Sequence, residues 1–159
     1  MTAPSLEQPT AVHALAGKYL TFVLADEAYA FAVLAVHEIV GMLPVTPVPH
    51  VDAAVRGVVN LRGRVIPVLD LRRRFGMPAS EDPETCIVVL RTGAQLVGVA
   101  VDAVTEVRMI RTDELEPPPS FGRDVDLSCL SAIAKLDGRV CMLLDVGRVL
   151  ALSVGGAGN

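Results

Sequence analysis

Large apolar residues cluster in short runs along this chain, and the clearest run lies at residues 65–71. Five of these seven positions carry Val, Ile or Leu, and β-branched residues suit the packed surface of a sheet, so the run predicts a buried strand. Residues 60–63 predict the turn that leads into it. Pro67 has no N–H to donate, which predicts that the strand lies at a sheet edge or is bulged at that point.

The same pattern occurs a second time, 75 residues later. LRGRVIPVLDLRR (61–73) aligns with LDGRVCMLLDVGR (136–148), with identical residues at Leu61/Leu136, Gly63/Gly138, Arg64/Arg139, Val65/Val140, Leu69/Leu144, Asp70/Asp145 and Arg73/Arg148. A second match, at a shift of 66 to 68, places residues 22–24 on 88–90 and residues 36–39 on 104–107. Two matches in the same order predict two copies of one unit, each about 70 residues long.

Strands joined by tight turns explain most of the other apolar runs. Residues 19–24 and 29–36 flank an acidic turn and predict a hairpin, which residues 86–101 repeat around RTGA. A short helical or turn segment is predicted at 36–41, and helical turns are predicted at 51–59 and 127–136. Asp145 is placed to cap a short C-terminal helix that ends near Leu152.

Proline-rich or polar stretches mark the connections. Pro44, Pro47 and Pro49 predict an extended, edge-like segment, and three prolines at 117–119 predict a stiff spacer. Residues 77–84 predict the loop between the two copies. Residues 1–16 predict a loose N-terminal arm, and residues 153–159 predict a flexible tail.

Two copies with about five short strands each and little helix predict an all-β fold, either a pair of small β-barrels or one fused all-β body. The chain is 52% apolar but only 4% aromatic, which predicts an aliphatic core. Because each copy is too small to bury its own apolar surface well, we expect the two to pack through a shared apolar seam.

Charge and cysteine content narrow the class of protein. The formal net charge of −4 and the pI near 5.3 argue against a nucleic-acid binder, which usually carries a basic face. The N-terminal residues lack a secretory signal, and no apolar run is long enough to cross a bilayer, so we expect a cytoplasmic protein. The three cysteines are far apart and predict buried thiols rather than a metal or redox site.

A search for catalytic or metal-binding chemistry finds no specific motif. His13, His37 and His50 do not have metal-ligand spacing, and no phosphate-binding loop or nucleophile elbow is present. Asp70 and Asp145 could suggest paired carboxylates, but each follows a strand where Asp commonly caps a helix. The arginine cluster at 62–74 is consistent with phosphate or nucleic-acid binding, but Arg64 is repeated at Arg139, and Arg72–Arg74 is also consistent with a solvated face. Binding through a surface is the hypothesis left open.

Glu38 is a candidate residue for binding through a surface. It is flanked by the aliphatic residues Val36 and Ile39 and lies next to a glycine and a proline-rich segment, as in a protein contact patch. An ordinary half-buried turn has the same composition. The sequence pattern alone does not separate these two interpretations.

Four segments taken together resemble the CheW family of chemotaxis coupling proteins: VHEIVG, RGVVNLRGRVIPVLDLRRRFG, VGVAVDAVTEV and IAKLDGRVCMLLDVGRVL. The resemblance covers residues 18–152. It implies an all-β fold of two intertwined, five-stranded SH3-like barrels within residues 17–152. The first barrel would span about 17–76 and the second about 85–145, with strands that can be exchanged.

The resemblance also implies a function. Such proteins are non-catalytic adaptors, without a cofactor, that join the cytoplasmic tips of chemoreceptors to the regulatory domain of the histidine kinase CheA. We therefore expect recruitment to membrane-associated receptor arrays, without insertion into the membrane and without nucleic acid. The alternatives are an adaptor of a non-flagellar chemosensory pathway, for pilus motility or development, and a small ligand- or nucleic-acid-binding barrel.

Two sets of site residues follow from the resemblance. The receptor would bind the groove between the two barrels, at Val36, Glu38, Ile39, Val101, Val104 and Val107. The kinase contact, or a region that supports it, would include Asn60, Leu61, Arg62, Gly63 and Val65.

Overall fold

The computed structural model describes residues 14–49, 51–78, 85–118 and 129–150, and strands dominate it. Eleven strands lie in this part of the chain: β1 Gly17–Leu24, β2 Glu27–Ala32, β3 Val36–Gly41, β4 Val55–Leu61, β5 Arg64–Asp70, β6 Cys86–Thr92, β7 Gln95–Val101, β8 Ala103–Ile110, β9 Leu115–Glu116, β10 Leu130–Leu136 and β11 Arg139–Leu144. The helices are α1 (Leu71–Arg74), α2 (Val146–Leu150) and the 3₁₀ turns Val33–Ala35 and Thr112–Glu114. Among these residues, no helix has the length and apolar character to span a membrane.

The strands form two mixed sheets, which confirms the predicted all-β fold of two SH3-like units. The six-stranded sheet has the order β8-β1-β2-β11-β10-β9, and the five-stranded sheet has the order β3-β6-β7-β5-β4. Each sheet contains the first hairpin of one copy, inserted between strands of the other copy. The parallel pairs β2/β11 and β5/β7 join the copies within each sheet.

The repeat is visible in the two hairpin turns that precede β5 and β11. Arg62 and Gly63 have φ angles of 50° and 88°, and the equivalent Asp137 and Gly138 have 53° and 77°. Two consecutive positive φ angles are typical of the two-residue turn that matches the twist of a hairpin. Glycine at the second position of both turns is therefore a backbone requirement of the repeated unit.

The repeat is also visible where each of these hairpins ends. Asp70 accepts hydrogen bonds from the backbone N–H groups of Arg72 and Arg73, and Asp145 accepts one from Arg148 at 2.9 Å. These contacts cap the short helices α1 and α2, so the interpretation of both aspartates as helix caps is confirmed.

The three segments predicted as helical turns are strands, and these predictions are wrong. β3 replaces the first, β4 occupies most of the second, and β10 occupies the described part of the third. Each segment is short, so its periodicity fits either state, and pairing with a neighbouring strand decides the outcome. The strand at residues 65–71 was predicted to lie at a sheet edge or to be bulged at Pro67. The edge alternative is wrong for the strand as a whole, because β5 lies between β4 and β7, and the irregularity nearby lies in β4, between Val55 and Gly57.

Pro67 nevertheless lies at a position in β5 where the missing N–H costs little hydrogen bonding. It lies opposite Val58 in the β4–β5 pair, and the parallel pairing with β7 begins only at Val68. β5 therefore has a partner on one side only at this residue.

An aliphatic core fills the space between the two sheets and includes side chains from both. Leu20, Phe22 and Phe31 come from the six-stranded sheet, and Leu69 and Val88 come from the five-stranded sheet. Two smaller clusters cover the outer faces of the sheets. Cys129 and Cys141 are buried in these interiors and Cys86 is half-buried.

A partly buried ion pair connects the corner between β7 and β8 to α1. The Arg72 guanidinium donates two hydrogen bonds to the Asp102 carboxylate, Nε to Oδ1 at 2.8 Å and Nη2 to Oδ2 at 2.6 Å. Asp102 also accepts the backbone N–H of Ala25 in the first hairpin turn, at 2.9 Å. The interpretation of Arg72 as part of a solvated face is therefore wrong.

Some sequence predictions concern residues outside the described ranges. These are the arm before residue 14, most of the loop between the copies, the last residue of the proline run, the predicted end of the C-terminal helix near Leu152, and the tail at 153–159.

Candidate functional site

Two edge strands, β3 and β8, each belonging to a different sheet, carry most of the predicted groove residues. In β3, Val36 lies opposite Leu90 and Ile39 lies opposite Val88. Directly opposed residues of antiparallel strands share a face of the sheet, and Leu90 and Val88 belong to the core between the sheets. Val36 and Ile39 therefore face the space between the two sheets.

The same register argument applies to β8. Val104 lies opposite Phe22 and Val107 lies opposite Leu20, and both partners belong to the core between the sheets. Val107 and Met109 extend this face to the surface, where both are exposed. We define the intersheet groove by Val36, Ile39, Val104, Val107 and Met109.

Cys86 contacts one end of each strand. It pairs with Gly41 of β3 on one side and with Val101 of β7 on the other. Its thiol has a backbone hydrogen bond from Val104 of β8, while burial raises the pKa of this thiol. One end of β3 and one end of β8 thus both contact Cys86.

Val101 is the member of the predicted groove set that does not reach the surface. Its side chain is 1% exposed and belongs to the core between the sheets. The side chain of Val101 therefore offers almost no surface to a partner. Val101 is the last residue of β7, where it pairs with Cys86 of β6.

Glu38 faces away from the groove, because its position in β3 is opposite Val89, which belongs to the outer cluster of the five-stranded sheet. There its Oε1 accepts a hydrogen bond from Arg62 Nη2. This hydrogen bond is the main reason that the pKa of the Glu38 carboxyl is lowered. Glu38 and Arg62, which the resemblance assigned to different partners, thus form one ion pair.

The NLRG turn, residues 60–63, is held by its own side chains. Asn60 Oδ1 accepts the backbone N–H of Gly63 at 2.8 Å, and Leu61 is buried in the outer cluster. Arg62 is exposed apart from its contact with Glu38, and Val65 is exposed just beyond the turn. The turn therefore presents Arg62 and Val65, while Asn60, Leu61 and Gly63 set its shape.

The second copy has a different charge arrangement at the equivalent corner. Glu106 is the repeat equivalent of Glu38, but Asp137 stands where the first copy has Arg62. Arg108 supplies the positive charge between these two carboxylates: its Nη1 lies 3.0 Å from an oxygen of Asp137 and 3.9 Å from an oxygen of Glu106. The Glu38–Arg62 pair is therefore specific to the first copy.

Sequence reasoning missed His37, Arg91 and Met109. Met109 could have been found from its alternation with Val107 in a strand. His37 and Arg91 approach each other to 2.7 Å because β3 has a bulge at His37, and a bulge leaves no reliable signal in a single sequence. In the described ranges, no group of three His, Cys, Asp or Glu side chains is arranged to hold a metal ion.

Comparison with known proteins agrees with this architecture. Residues 18–154 match the family described as the CheW-like domain. Chemotaxis protein CheW of Rhizobium meliloti is 34% identical over 131 residues, which is 82% of this chain and 84% of that protein. Chemotaxis protein CheW of Bacillus subtilis is 34% identical over 135 residues, which is 84% of this chain and 86% of that protein.

A solved structure is similar as well. The scaffolding protein TtCheW from Thermoanaerobacter tengcongensis has a TM-score of 0.74 and 34% sequence identity to this chain, and the match covers 82% of this chain and 89% of the other. The chain therefore belongs to the CheW family of chemotaxis coupling proteins.

Proposed function

We propose that this chain is a non-catalytic adaptor that couples the cytoplasmic tips of chemoreceptors to the regulatory domain of the histidine kinase CheA. Membership of the CheW family supports the chemotaxis role, and the solved relative is itself described as a scaffolding protein. It would act in the cytoplasm, at receptor arrays on the membrane. The observation that carries the proposal is the intersheet groove, an exposed apolar site built by two edge strands of different copies.

The intersheet groove suits the apolar face of a helical hairpin, such as a receptor tip. Ile39, Val107 and Met109 are large, apolar and exposed, although most such residues lie in the core. Their transfer from water would contribute roughly 25 cal/mol per Å² of buried apolar area, minus the cost of association. Single contacts of this size give modest affinity, which repetition in an array strengthens.

The NLRG turn offers a second surface, which we assign to the kinase. Arg62 and Val65 are exposed at this turn, one cationic and one apolar, and the hydrogen bond from Gly63 to Asn60 holds the turn. Glu38 of β3 forms an ion pair with Arg62 of this turn, on the face of β3 that points away from the intersheet groove. Each surface can be disrupted separately through a residue that does not belong to that pair.

Three matched valine substitutions test this assignment. Val107→Asp places a charge in the intersheet groove and is expected to weaken binding to a receptor tip fragment by about tenfold or more, a loss of about 1.4 kcal/mol. The same variant should retain binding to the CheA regulatory domain. Val65→Asp is expected to show the opposite pattern, and titration calorimetry with each partner measures both.

Val140→Asp is the control, because Val140 is 52% exposed, close to the 55% of Val107, but lies outside both surfaces. It should bind both partners like the unmodified protein. Equal losses for Val107→Asp and Val140→Asp would contradict the groove assignment. If the unmodified protein binds neither partner, the adaptor function itself is wrong.

A further inference from the structure

The chain passes from one sheet to the other immediately before each strand of the intersheet groove. Between β2 and β3 it crosses through the 3₁₀ turn Val33–Ala35, and between β7 and β8 it crosses through Asp102. β3 belongs to the five-stranded sheet and β8 to the six-stranded sheet. The position of one sheet relative to the other therefore sets how far apart the two sides of the groove lie.

Asp102 connects its crossover to the first hairpin of the six-stranded sheet. Its backbone N–H donates a hydrogen bond to the Val23 carbonyl oxygen of β1 at 3.2 Å. Its carboxylate accepts the backbone N–H of Ala25, in the turn between β1 and β2. The same carboxylate accepts the two hydrogen bonds from the Arg72 guanidinium.

Arg72 supplies the connection to the other sheet. The helix that contains it, α1, directly follows β5 and lies against β5 and β7 of the five-stranded sheet. Arg72 Nη1 also donates to the Pro78 carbonyl oxygen at 2.8 Å, so the guanidinium is held at a second point. A planar guanidinium that donates two hydrogen bonds to one carboxylate fixes distance and orientation together. The ion pair therefore connects the two sheets at the point where β8 begins.

The crossover that leads into β3 has a different composition. The repeat alignment places Leu34 at the position of Asp102 and Gly147 at the position of Arg72. Neither residue carries a charge, and Leu34 is 93% exposed. The crossover before β8 is thus held by an ion pair that the equivalent positions of the other copy cannot form.

From this arrangement we infer that Asp102 and Arg72 are positioning residues for the receptor site, because they hold β8 at its distance from β3. The inference rests on the proposed adaptor function and adds a requirement for the geometry of the same site. Without the ion pair, the start of β8 can move relative to the five-stranded sheet, and Val104, the groove residue two positions after Asp102, moves with it. Substitutions that act on a binding site through packed elements have modest effects, so we expect receptor affinity to fall about three- to tenfold.

Cys86 provides a direct readout of that movement. Its thiol, on β6 of the five-stranded sheet, has the backbone hydrogen bond from Val104 of β8, so this contact joins the two sheets. If β8 moves, the half-buried Cys86 becomes more accessible, whereas Cys141 stays buried until the protein unfolds. The labelling rate of Cys86 relative to that of Cys141 therefore distinguishes a local movement from a general loss of stability.

Two substitutions in the whole chain test the inference, Asp102→Asn and Arg72→Gln, each measured well below its melting temperature. Titration calorimetry should show the three- to tenfold weaker binding to a receptor tip fragment for both variants, with unchanged binding to the CheA regulatory domain. Labelling with a thiol reagent, followed by peptide mass spectrometry, should show faster modification of Cys86 while Cys141 stays protected.

Gly57→Ala is the matched control. It introduces a close contact with Thr46 and is expected to reduce stability, but it lies in β4, at the opposite edge of the five-stranded sheet from β3. This variant should bind the receptor tip fragment like the unmodified protein, and its Cys86 should be labelled at the same rate.

Unchanged receptor affinity in both Asp102→Asn and Arg72→Gln would overturn the inference, and so would an equal loss of affinity in Gly57→Ala. Either result leaves the adaptor function intact. If the unmodified protein does not bind the receptor tip fragment, the proposed function is overturned instead. The labelling of Cys86 then still decides whether the ion pair holds β8 in place.

Discussion

Replacing Asp102 with asparagine removes the negative charge from a partly buried ion pair while keeping the shape of the side chain. The Asp102 and Arg72 side chains are 12% and 17% exposed, and the pair has two hydrogen bonds of 2.8 and 2.6 Å. Removing one partner of a buried ion pair costs about 3–5 kcal/mol, and hydrogen bonds to charged groups contribute about 1.5–3 kcal/mol each. Because solvent reaches part of both groups, we expect a loss of about 3 kcal/mol.

A loss of this size is easily measured by thermal unfolding. For a chain of this length, 1 kcal/mol corresponds to about 2–4 °C, so Asp102→Asn should lower the melting temperature at neutral pH by roughly 6–12 °C. The difference should depend on pH in a defined direction. The pKa of Asp102 is lowered, chiefly by the hydrogen bonds from Arg72, so the folded state binds the proton less readily than the unfolded state.

The stabilisation is consequently complete above the ordinary pKa of aspartate, about 3.9, and disappears as the pH falls through the lower pKa of the folded state. The free energies of unfolding of the unmodified protein and of Asp102→Asn should thus become similar at acidic pH. Asp113→Asn is the control, since Asp113 and Arg111 form a similar pair at 3.1 Å but are 65% and 71% exposed. That substitution should cost less than about 0.5 kcal/mol.

Equal melting temperatures for Asp102→Asn and Asp113→Asn would refute this reasoning. A double-mutant cycle with Arg72→Gln gives a second check, because residues in direct contact should have non-additive effects. Purely additive losses would show that the two groups do not interact in solution.

Two further predictions concern the packing of the fold. Gly57→Ala should destabilise the protein by about 1–3 kcal/mol in denaturant unfolding, because its new Cβ would lie 2.1 Å from the Thr46 carbonyl oxygen. Gly93→Ala is the control: its new Cβ would have no atom within 4 Å, so the variant should lose only the free energy that corresponds to the strain of the positive φ. Smaller losses for Gly57→Ala than for Gly93→Ala would contradict this. Burial raises the pKa of the Cys141 thiol to about 11, so a thiol reagent at about pH 8 should modify this thiol only after the protein unfolds. Peptide mass spectrometry measures the labelling, and rapid labelling of Cys141 in the folded protein would contradict the prediction.

The parts of the fold that could be predicted from sequence are those with strong local signals. Residues 61–73 and 136–148 share enough identities to predict the repeated unit, and the same alignment predicts equal hairpin turns and equal helix caps at Asp70 and Asp145. These features depend on a few neighbouring residues. A tight turn needs Gly63 or Gly138, and a cap needs one carboxylate at the first turn of a helix.

The features that sequence reasoning missed depend on distant pairing. β3 is a strand because β6, some 50 residues away, pairs with it, and its own pattern of apolar residues is equally consistent with a turn. In the sequence, Arg72 resembles its neighbouring arginines, and only the fold places it against Asp102. For the candidate site, the sequence supplied the residue types, but only the register of β3 and β8 separates the groove-facing Ile39 from the outward-facing Glu38.

The exchange of hairpins between the two copies has a consequence for synthesis on the ribosome. The first hairpin ends at Ala32, but its parallel partner β11 is complete only at Leu144. At a synthesis rate of roughly 5–20 residues per second, one edge of the hairpin stays without its partner for on the order of ten seconds. Unpaired edges promote aggregation, so the nascent chain passes through a period in which chaperone binding is most useful.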